Sequence, residues 1–237
     1  MTIIITTATT KEMEAVLKGF NGRGRVGCVM PRQGEALKSP VNEHQCILAV
    51  TGVGPVNSAF TLGRLLGENS RIDGVISLGI AGSFDTAKAP LGSSVIATTE
   101  IWADYGLVTA EGIDPKGIGF GQTDDPLNPV WNTIALQPDD VIKQLELTRP
   151  ANCINGPSLT VAAASGTAER AQLMRKTHEP LTENMEGFGL ALGCHRHNIP
   201  FLEVRTISNV VGSRAAKDWC IDEAFSALGQ TARALFA

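Results

Sequence analysis

Short apolar runs alternate along the chain with longer segments in which apolar residues recur at helical spacing. The apolar runs lie at Ile3–Ile5, Cys46–Val50, Val75–Leu78, Ser94–Thr98, Leu159–Ala163 and Phe201–Ile207. The segments of helical spacing lie at Thr10–Gly19, Val56–Glu68, Pro138–Leu147, Thr167–Lys176, Asn184–His197 and Lys217–Phe236. Strands that alternate with helices in this way are typical of a mostly parallel or mixed sheet with helices packed against it. The pattern therefore predicts an α/β fold.

One region departs from this alternation. Residues 103–129 contain five glycines and three prolines and show little periodicity, which predicts a long loop region. No linker divides the rest of the sequence, and a length of 237 residues suits one domain of the α/β class. We therefore expect residues 1–237 to form a single domain.

Composition disfavours several classes of protein. Hydrophobic residues make up 43% of the chain and the formal net charge is only −4, which argues against a disordered chain and against a nucleic-acid-binding protein. No run of 18 apolar residues occurs, and the first residues lack the basic start of a signal peptide, so we expect neither a membrane span nor secretion. Five widely spaced cysteines without a C-x-x-C pair suit a reducing compartment. These features predict a cytoplasmic protein.

A helix-capping pattern follows the first predicted strand. Thr9 would cap the helix, and Glu12, three residues later, would return its carboxylate to the Thr9 N–H. The alternative is that Glu12 serves a ligand, because ligands of α/β proteins bind at the carboxyl ends of the strands. Glu14 is a second carboxylate in a less favourable place. The sequence leaves both interpretations of Glu12 open.

Two glycine-rich segments follow the second and third predicted strands. Residues 51–55 resemble a phosphate-binding turn, but Asn57 stands where the dinucleotide fingerprint has its third glycine, and no P-loop sequence occurs. Residues 79–83 would form a second turn at the end of their strand. Together the two turns predict a pocket lined by backbone, although tight packing alone would also explain each of them.

Polar residues also follow the fifth predicted strand and open the next helix. Ser165, Gly166 and Thr167 come directly after the strand, and Glu183 and Glu186 lie at the start of the helix. Carboxylates there would complement the helix dipole. Alternatively, Glu186 would accept hydrogen bonds from two adjacent sugar hydroxyls, because its two oxygens suit a vicinal diol.

The last predicted strand ends in Ser208 and Asn209, and polar groups at the end of a central strand usually face a site. His195 and His197 have no third ligand near them in sequence and no zinc-ligand spacing, so we expect no metal. No G-x-S-x-G elbow occurs and no cysteine has a recognisable catalytic surround.

Taken together, these motifs resemble those of the nucleoside phosphorylase and nucleosidase superfamily, in the order that the family has them. The resemblance rests on Thr51-Gly52-Val53-Gly54, Gly79-Ile80-Ala81-Gly82, Asn184-Met185-Glu186-Gly187 and Arg205-Thr206-Ile207-Ser208-Asn209. The Met-Glu-Gly and Ile-Ser-Asn segments are the most specific. Within the superfamily, residues 207–214 are most similar to the Ile-Ser-Asn-x-Val-Gly-x-Arg segment of the branch that hydrolyses futalosine.

The resemblance implies a three-layer α/β/α sandwich around a mixed sheet, a purine nucleoside as substrate, no cofactor, and a homodimer or higher homo-oligomer. It implies two catalytic residues, with Glu12 activating water and Asn209 stabilising the leaving purine. It further implies that the substrate is bound by Gly79, Ile80, Ala81, Gly82, Ser165, Gly166, Thr167, Met185, Glu186, Ser208 and Arg214.

Two departures from the family pattern bear on the reaction. Family phosphorylases place an arginine and a serine where this chain has Ser77 and Ile80, and an apolar side chain cannot bind a phosphate oxygen, so water is the expected nucleophile. Relatives that cleave adenine nucleosides end the last strand in Asp. The amide of Asn209 does not titrate, but it can donate an N–H to the O6 of a 6-oxopurine such as hypoxanthine.

Other interpretations remain open. They are a methylthioadenosine or adenosylhomocysteine nucleosidase, a purine nucleoside phosphorylase, and a non-catalytic nucleoside-binding sensor, which would not need Glu12. Futalosine also carries a benzoate that a cation should meet, and Arg214 and Lys217 are candidates by position, although either would equally be a solvated surface charge. The family's subunit contact is expected in residues 103–129, which include Tyr105 and Phe120.

Overall fold

The computed structural model describes residues 1–20 and 30–237. Within these ranges the strands are β1 (Thr2–Thr7), β2 (Ala36–Val41), β3 (His44–Val50), β4 (Gly74–Ser83), β5 (Ser94–Trp102), β6 (Leu107–Thr109), β7 (Gly112–Asp114), β8 (Thr133–Ala135), β9 (Cys153–Thr160), β10 (Thr182–Asn184) and β11 (Phe201–Val210). The α-helices are α1 (Thr10–Phe20), α2 (Pro55–Glu68), α3 (Pro138–Gln144), α4 (Ala168–His178), α5 (Gly187–His197) and α6 (Ile221–Leu235). A 3₁₀ helix covers Ala216–Asp218.

The central sheet is mixed. β1 lies between β3 and β4 and is parallel to both, while β11 is parallel to β4 and antiparallel to β5. Ile3, Ile4 and Ile5 of β1 are fully buried, as expected for a parallel strand that is covered on both faces. The predicted α/β fold with a central mixed sheet is confirmed.

Alternate residues of β1 contribute to two different helix layers. Ile3 lies in one apolar cluster with Met13 of α1 and Leu228 of α6. Ile4, which points to the opposite face, lies in a second cluster with Leu62 of α2. The sheet is therefore the middle of three layers.

Part of the sheet closes into a ring. The short strand β10 is parallel to β9 and antiparallel to β4, so β4, β11, β5, β9 and β10 follow one another around the ring. This closure brings the end of β4 between β10 and β11. The carboxyl ends of β1, β4 and β11 therefore open onto one place beside β10, where the candidate site lies.

β4 is longer than the sequence pattern predicts. The predicted strand Val75–Leu78 continues to Ser83 because its second half pairs with β11, with Ala81 opposite Ile207. The prediction of a glycine turn at residues 79–83 is wrong, since these residues are strand.

Other boundaries differ because of pairing between distant segments. The strand predicted at Leu159–Ala163 begins and ends earlier, as β9. α5 begins at Gly187 rather than Asn184, because residues 182–184 pair with β9 and β4. α6 begins at Ile221 rather than Lys217, after the 3₁₀ helix.

Some strands were not predicted. Residues 103–129 contain the hairpin of β6 and β7 rather than only a loop. β2 includes Pro40, a residue that would be unsuitable in the interior of a sheet, but β2 is an edge strand.

Two further expectations concern membranes and cysteines. None of the helices in the described ranges is long and apolar enough to cross a bilayer. Cys46, Cys153, Cys194 and Cys220 are free thiols, and Cys28 lies outside the described residues.

Candidate active site

A cavity of about 370 Å³ lies at the carboxyl ends of β1, β4 and β11. Most of the predicted site residues line it: Glu12, Ile80, Ala81, Gly82, Ser165, Met185, Glu186, Ser208, Asn209 and Arg214. A larger surface groove of about 650 Å³ runs between α1 and α6, but it lacks the strand-end polar groups. We therefore place the candidate site in the smaller cavity.

Some candidates lie elsewhere. Gly166 and Thr167 are exposed and do not line the cavity, and the Thr167 side chain caps α4 by accepting the Arg170 N–H. Glu14, the rival of Glu12, lies on the outer groove and pairs with Lys18 at 2.9 Å. Lys217, a candidate for the benzoate, is exposed and also lies outside the cavity lining.

The Glu12 carboxylate is held at both of its oxygens. Oε2 accepts the N–H and the hydroxyl of Thr9, each at 2.8 Å, and the Glu12 N–H donates to Thr9 Oγ1 at 3.2 Å. This is the predicted capping box. Oε1 accepts the Ile80 N–H at 2.9 Å. The capping role and a place in the cavity wall are therefore compatible, and the side chain is only 4% exposed.

Gly79 lies beneath this carboxylate and does not line the cavity. A Cβ atom on residue 79 would lie 2.5 Å from Arg205 Nη1 and 2.8 Å from Glu12 Oε1. Any side chain there would separate the guanidinium from the carboxylate. Gly79 therefore allows Arg205 to approach Glu12 from below the cavity.

Arg205 is a buried cation surrounded by carboxyl groups. Its Nε donates to Glu203 Oε1 at 3.2 Å, and the side chain is 2% exposed. Burial alone would lower the pKa of Arg205, but the charges of Glu203, Glu186 and Glu12 raise it above its ordinary value. The guanidinium therefore stays charged and offsets the negative charge of Glu12 and Glu186 in the cavity wall.

The glycine turn after β3 binds one of these carboxylates. Gly52 and Gly54 have φ of 90° and 100°, a backbone conformation that other residues rarely adopt. The Gly54 N–H donates to Glu186 Oε1 at 3.0 Å. Burial raises the pKa of Glu186, while Arg205 and the Gly54 N–H oppose that rise. The turn that resembles a phosphate cradle thus binds the protein's own carboxylate.

Two buried carboxyl groups meet behind Arg205. A Cβ on Gly187 would lie 2.3 Å from both Glu100 Oε1 and Glu203 Oε2, so only glycine fits between them and the start of α5. Burial raises the pKa of Glu100 well above its ordinary value, and the charge of Glu203 adds to the rise. Glu203 Oε2 is buried near Glu100 Oε1 and has no hydrogen-bond partner among the described residues.

Asn184 connects this pair of carboxyl groups to the cavity. Its Nδ2 donates to Glu100 Oε1 at 2.8 Å and to Glu203 Oε1 at 3.2 Å. Its Oδ1 accepts the N–H of Glu186 at 2.8 Å and of Gly187 at 2.7 Å. The amide therefore fixes the turn that presents Glu186 to the cavity.

A β-bulge sets the direction of the polar pair at the end of β11. Ile207 is opposite Ala81 and Asn209 is opposite Gly82, so Ser208 is the extra residue. The Ser208 hydroxyl donates to Asn209 Oδ1 at 2.9 Å, and Asn209 Nδ2 donates to the Val210 carbonyl at 3.2 Å. The amide of Asn209 is thereby held in one orientation beside the cavity.

Glu183 also lines the cavity, although the sequence pattern assigned it no role. Its Oε1 accepts the Ser165 N–H at 2.9 Å, and its Oε2 lies 2.5 Å from Ser165 Oγ. Burial raises the pKa of Glu183, the two contacts with Ser165 and the charge of Arg170 lower it, and Asp104 raises it again, with a net rise.

Cations and apolar side chains occur together in the wall of the cavity. Lys11 and Arg214 line it together with Trp219, Ile221 and Phe225. The Arg214 guanidinium lies 5.3 Å from the centre of the Trp219 ring. A flat apolar group that ends in an anion would suit this region.

Sequence reasoning missed three of these residues. Arg205 is the first residue of the Arg-Thr-Ile-Ser-Asn motif, which could have marked it as a site residue, but the sequence analysis gave it no role. Glu183 was assigned to the start of a helix, whereas it lies in β10. Lys11 lies next to Glu12 in sequence and faces the cavity, a fact that only the crossing of α1 with α6 reveals. No cluster of metal-ligating side chains occurs in the part of the chain that the structure describes.

Comparisons with known proteins agree on one family. The family model of the phosphorylase superfamily matches residues 2–237. Futalosine hydrolase of Streptomyces coelicolor is 34% identical over 96% of this chain and 92% of its own length. The 5′-methylthioadenosine/S-adenosylhomocysteine nucleosidase of Halalkalibacterium halodurans is 28% identical over 72% of this chain and 70% of its own length.

Solved structures share the fold. The crystal structure of 5′-methylthioadenosine/S-adenosylhomocysteine nucleosidase from Helicobacter pylori, bound to butyl-thio-DADMe-Immucillin-A, superposes with a TM-score of 0.73 at 18% identity. The match covers 98% of this chain and 94% of that one. These similarities confirm the predicted sandwich fold, and the curated relatives confirm an enzyme of the N-glycosyl hydrolase class.

Proposed function

Because the chain belongs to the phosphorylase superfamily, we propose that it hydrolyses the N-glycosidic bond of futalosine and releases hypoxanthine and dehypoxanthine futalosine, a step of the alternative menaquinone pathway. The observation that carries the proposal is the meeting of Glu12, Glu186 and Asn209 in one cavity. The three side chains correspond to the three parts of the reaction, which are water, ribose and base. The relative from Streptomyces coelicolor, matched over nearly its whole length, supports the choice of substrate.

Glu12 activates the water in this proposal. Cleavage of the bond builds positive charge on the ribose, in a transition state that resembles an oxocarbenium ion. A carboxylate held by Thr9 and Ile80 needs no reorganisation to accept a proton from water. The buried cation of Arg205, beneath it, limits the repulsion between Glu12 and Glu186.

Glu186 and Met185 bind the ribose. One Glu186 oxygen accepts the Gly54 N–H, which leaves the other for the 2′ and 3′ hydroxyls. Asn184 fixes the backbone of this turn, and Met185 adds an apolar contact. Holding the ribose in this way positions its anomeric carbon for attack by water, a contribution of up to several kcal/mol to the barrier.

Asn209 stabilises the leaving hypoxanthine. Its Nδ2 donates one hydrogen to the Val210 carbonyl at 3.2 Å, which leaves the second hydrogen for a purine O6. Its Oδ1 can accept a hydrogen from a protonated N7. Gly82, opposite Asn209, has no side chain, so the Asn209 amide can lie close against β4, and Ser165 also lines the cavity.

Water is a better nucleophile than phosphate at this site. The Ile80 N–H, which would otherwise face an anion, donates to Glu12. The Ile80 side chain is apolar, and the nearest guanidinium, that of Arg205, is fully buried under Gly79. Beside Ile80, a phosphate would therefore meet the carboxyl groups of Glu12 and Glu186, and the buried guanidinium of Arg205 would be out of its reach.

The benzoate of futalosine suits the two cations in the cavity wall. Arg214 lines the cavity and lies against Trp219, and Lys11 lines it as well. Phe225 supplies an apolar wall for the ring. We assign the carboxylate to Arg214 and Lys11, not to Lys217.

We also propose that the chain functions as a homodimer or higher homo-oligomer. Val56 and Phe60 of α2 are 80% and 72% exposed, and they lie four residues apart on one face of the helix. Val53 is half-exposed and lines the cavity just before α2. A partner that covers this face would therefore also border the cavity. The exposed Phe120, within the expected contact region, adds a second apolar surface.

One assay tests the proposed activity. The purified protein is incubated in phosphate-free buffer with futalosine, inosine or 5′-methylthioadenosine, and the free base is measured by chromatography. We expect hypoxanthine from futalosine at the highest kcat/KM and unchanged rates when phosphate is added. Faster release of adenine from methylthioadenosine would overturn the choice of substrate, and a phosphorylated sugar product would overturn hydrolysis.

A methylthioadenosine nucleosidase is the second candidate, because the relative from Halalkalibacterium halodurans has that name. Asn209 disfavours it, since an amide side chain cannot protonate adenine at N7. A protein that binds these nucleosides but releases no base would instead be a sensor.

A further inference from the structure

The proposed mechanism leaves one chemical requirement unmet. The departing purine needs a proton, and the Asn209 amide at the end of β11 has no titratable group to supply it. The inference that follows rests on the proposed hydrolysis of a hypoxanthine nucleoside. It concerns Glu183, a carboxyl group in the same cavity to which the ribose and water roles assign no task.

Glu183 and Asn209 belong to one row across the sheet. Glu183 of β10 and Asn209 of β11 are both opposite Gly82 of β4, from its two sides. Strands are spaced by about 4.8 Å, so the two α-carbons lie about 10 Å apart with a glycine between them. A side chain at residue 82 would collide with Val211 and approach Asn209. Val211 and the Asn209 amide therefore occupy the space above Gly82, and the side chains of Glu183 and Asn209 line the same cavity.

The surroundings of Glu183 suit a proton donor. The side chain is 8% exposed, and burial raises the pKa of its carboxyl group. The nearest charged groups are Arg170 on α4 and Asp104 after β5, and they pair with each other at 3.2 Å, so their effects on Glu183 oppose one another. Glu12 and Glu186 are the other carboxyl groups that line the cavity.

Ser165 provides a path from this carboxyl group toward the base. Its Oγ lies 2.5 Å from Glu183 Oε2, and its N–H holds Oε1 at 2.9 Å. The hydroxyl can accept the carboxyl proton while it donates its own hydrogen onward. Ser165 itself lines the cavity, so the relay ends where the base binds.

We propose that Glu183 is the general acid that protonates the leaving purine, directly or through the Ser165 hydroxyl. The bond between the anomeric carbon and the purine nitrogen breaks, and its electron pair passes to the purine, which takes the proton from Glu183. The oxygen of water bonds to the anomeric carbon, and a proton of that water passes to Glu12. Exchange with solvent then returns the proton to Glu183 and restores the Glu12 carboxylate.

Kinetics of the Glu183→Gln variant test the proposal. With futalosine, we expect kcat to fall on the order of 10²–10⁴-fold while KM changes little, because the amide keeps the shape but carries no acidic proton. With p-nitrophenyl β-D-ribofuranoside, whose nitrophenolate leaves without protonation, the variant should retain the rate of the wild type. Equal loss on both substrates would mean a structural role and would overturn the proposal.

The pH profile separates proton donation from simple recognition of the base. In the wild type, kcat should fall as pH rises through the raised pKa of Glu183, because only the protonated form is active. This fall of kcat at high pH, the basic limb of the profile, should be absent in Glu183→Gln. A loss confined to KM, or a basic limb that persists in the variant, would assign Glu183 to base binding and overturn the proposal.

Two further variants control for folding. Glu179→Gln changes an exposed carboxylate at the end of α4 and should leave both kcat and the pH profile unchanged. Ser165→Ala keeps Glu183 but removes the hydroxyl, and it should lower kcat for futalosine more than for the nitrophenyl riboside. If the wild type itself releases no hypoxanthine from futalosine or inosine, the proposed function fails. If the wild type is active and Glu183→Gln equals it, only the acid role fails.

Discussion

Glu12 and Ile80 are joined by a 2.9 Å hydrogen bond from the Ile80 N–H to Glu12 Oε1, which fixes the carboxylate of α1 against strand β4. The other oxygen caps α1 through Thr9. One side chain therefore ties the helix start to the cavity wall. A carboxylate with so little freedom is already oriented before substrate arrives.

Replacing Glu12 with Gln should reduce turnover strongly. The amide keeps an oxygen for the Ile80 N–H but cannot take a proton from water, so we expect kcat for futalosine to fall on the order of 10²–10⁴-fold with KM nearly unchanged. Loss of the charged cap should also cost about 1 kcal/mol of stability. Steady-state kinetics and urea unfolding measure the two effects.

The matched control for Glu12 is Glu14→Gln. Glu14 is exposed and pairs with Lys18 outside the cavity, so this variant should retain full activity. Unchanged turnover in Glu12→Gln, together with a loss in Glu14→Gln, would reverse the assignment.

An Asn209→Asp variant should lose more activity on hypoxanthine nucleosides than on adenine nucleosides. A carboxylate can accept from the Ser208 hydroxyl as Asn209 does, but it offers no N–H to a purine O6. The loss of one such hydrogen bond should lower kcat/KM for inosine about 10- to 100-fold relative to adenosine. Asn198→Asp, at the exposed end of α5, is the control. An unchanged ratio of the two substrates would refute this explanation of base choice.

Local features of this fold could be predicted from the sequence. The capping box of Thr9 and Glu12 is a pattern over three residues, and its hydrogen bonds form within that span. β1 and α1 could be predicted for the same reason, because the spacing of apolar residues that indicates each element is also local. The helix predicted at Thr10–Gly19 differs from α1 by one residue.

Features that depend on distant pairing could not be predicted. Gly79 and Gly82 suggest a turn by composition, but they are strand because β11 and β10 pair with that stretch. Arg205 was visible as part of a motif. Its burial among carboxyl groups from α1, β5, β11 and the start of α5 arises only when those elements meet, and no spacing along the chain encodes it.

Variants of the two cations in the cavity wall test the assignment of the benzoate carboxylate to them. Arg214→Gln and Lys11→Gln should each raise KM for futalosine about 10-fold, since a hydrogen bond to a charged group contributes roughly 1.5–3 kcal/mol. Neither should change KM for inosine, which has no carboxylate. Lys217→Gln, outside the cavity, should match the wild type on both substrates. A rise for inosine as well would mean that the cations serve the ribose or base.

A Phe60→Glu variant tests the proposed oligomer. Phe60 is 72% exposed on the same face of α2 as Val56, and a charge buried in a subunit contact would be strongly unfavourable. Light scattering after gel filtration should show an oligomer for the wild type and a 25.0 kDa monomer for the variant. Leu173→Glu, on the exposed side of α4, should keep the mass of the wild type. A monomeric wild type would contradict the proposal.

The buried pair of Glu100 and Glu203 should make stability depend on pH. The pKa of Glu100 is raised by burial and by Glu203, so the folded chain keeps a proton that the unfolded chain releases above the ordinary value of 4.5. In the window between 4.5 and the raised pKa, the unfolded state binds fewer protons, and the free energy of unfolding falls by up to about 1.4 kcal/mol per pH unit. Below pH 4.5 the contribution of Glu100 to the free energy of unfolding is fully retained.

Replacing Glu100 with Gln should flatten this dependence. Glutamine is neutral at every pH and keeps an oxygen that can accept from Thr160, which now donates to Glu100 at 2.6 Å. Urea unfolding between pH 5 and 9, about the range in which proteins are most stable, should show a shallower slope for Glu100→Gln than for the wild type. The control Glu179→Gln changes an exposed carboxyl group at the end of α4 and should keep the slope of the wild type. Identical slopes in all three proteins would mean that Glu100 ionises in the folded chain as it does in the unfolded one.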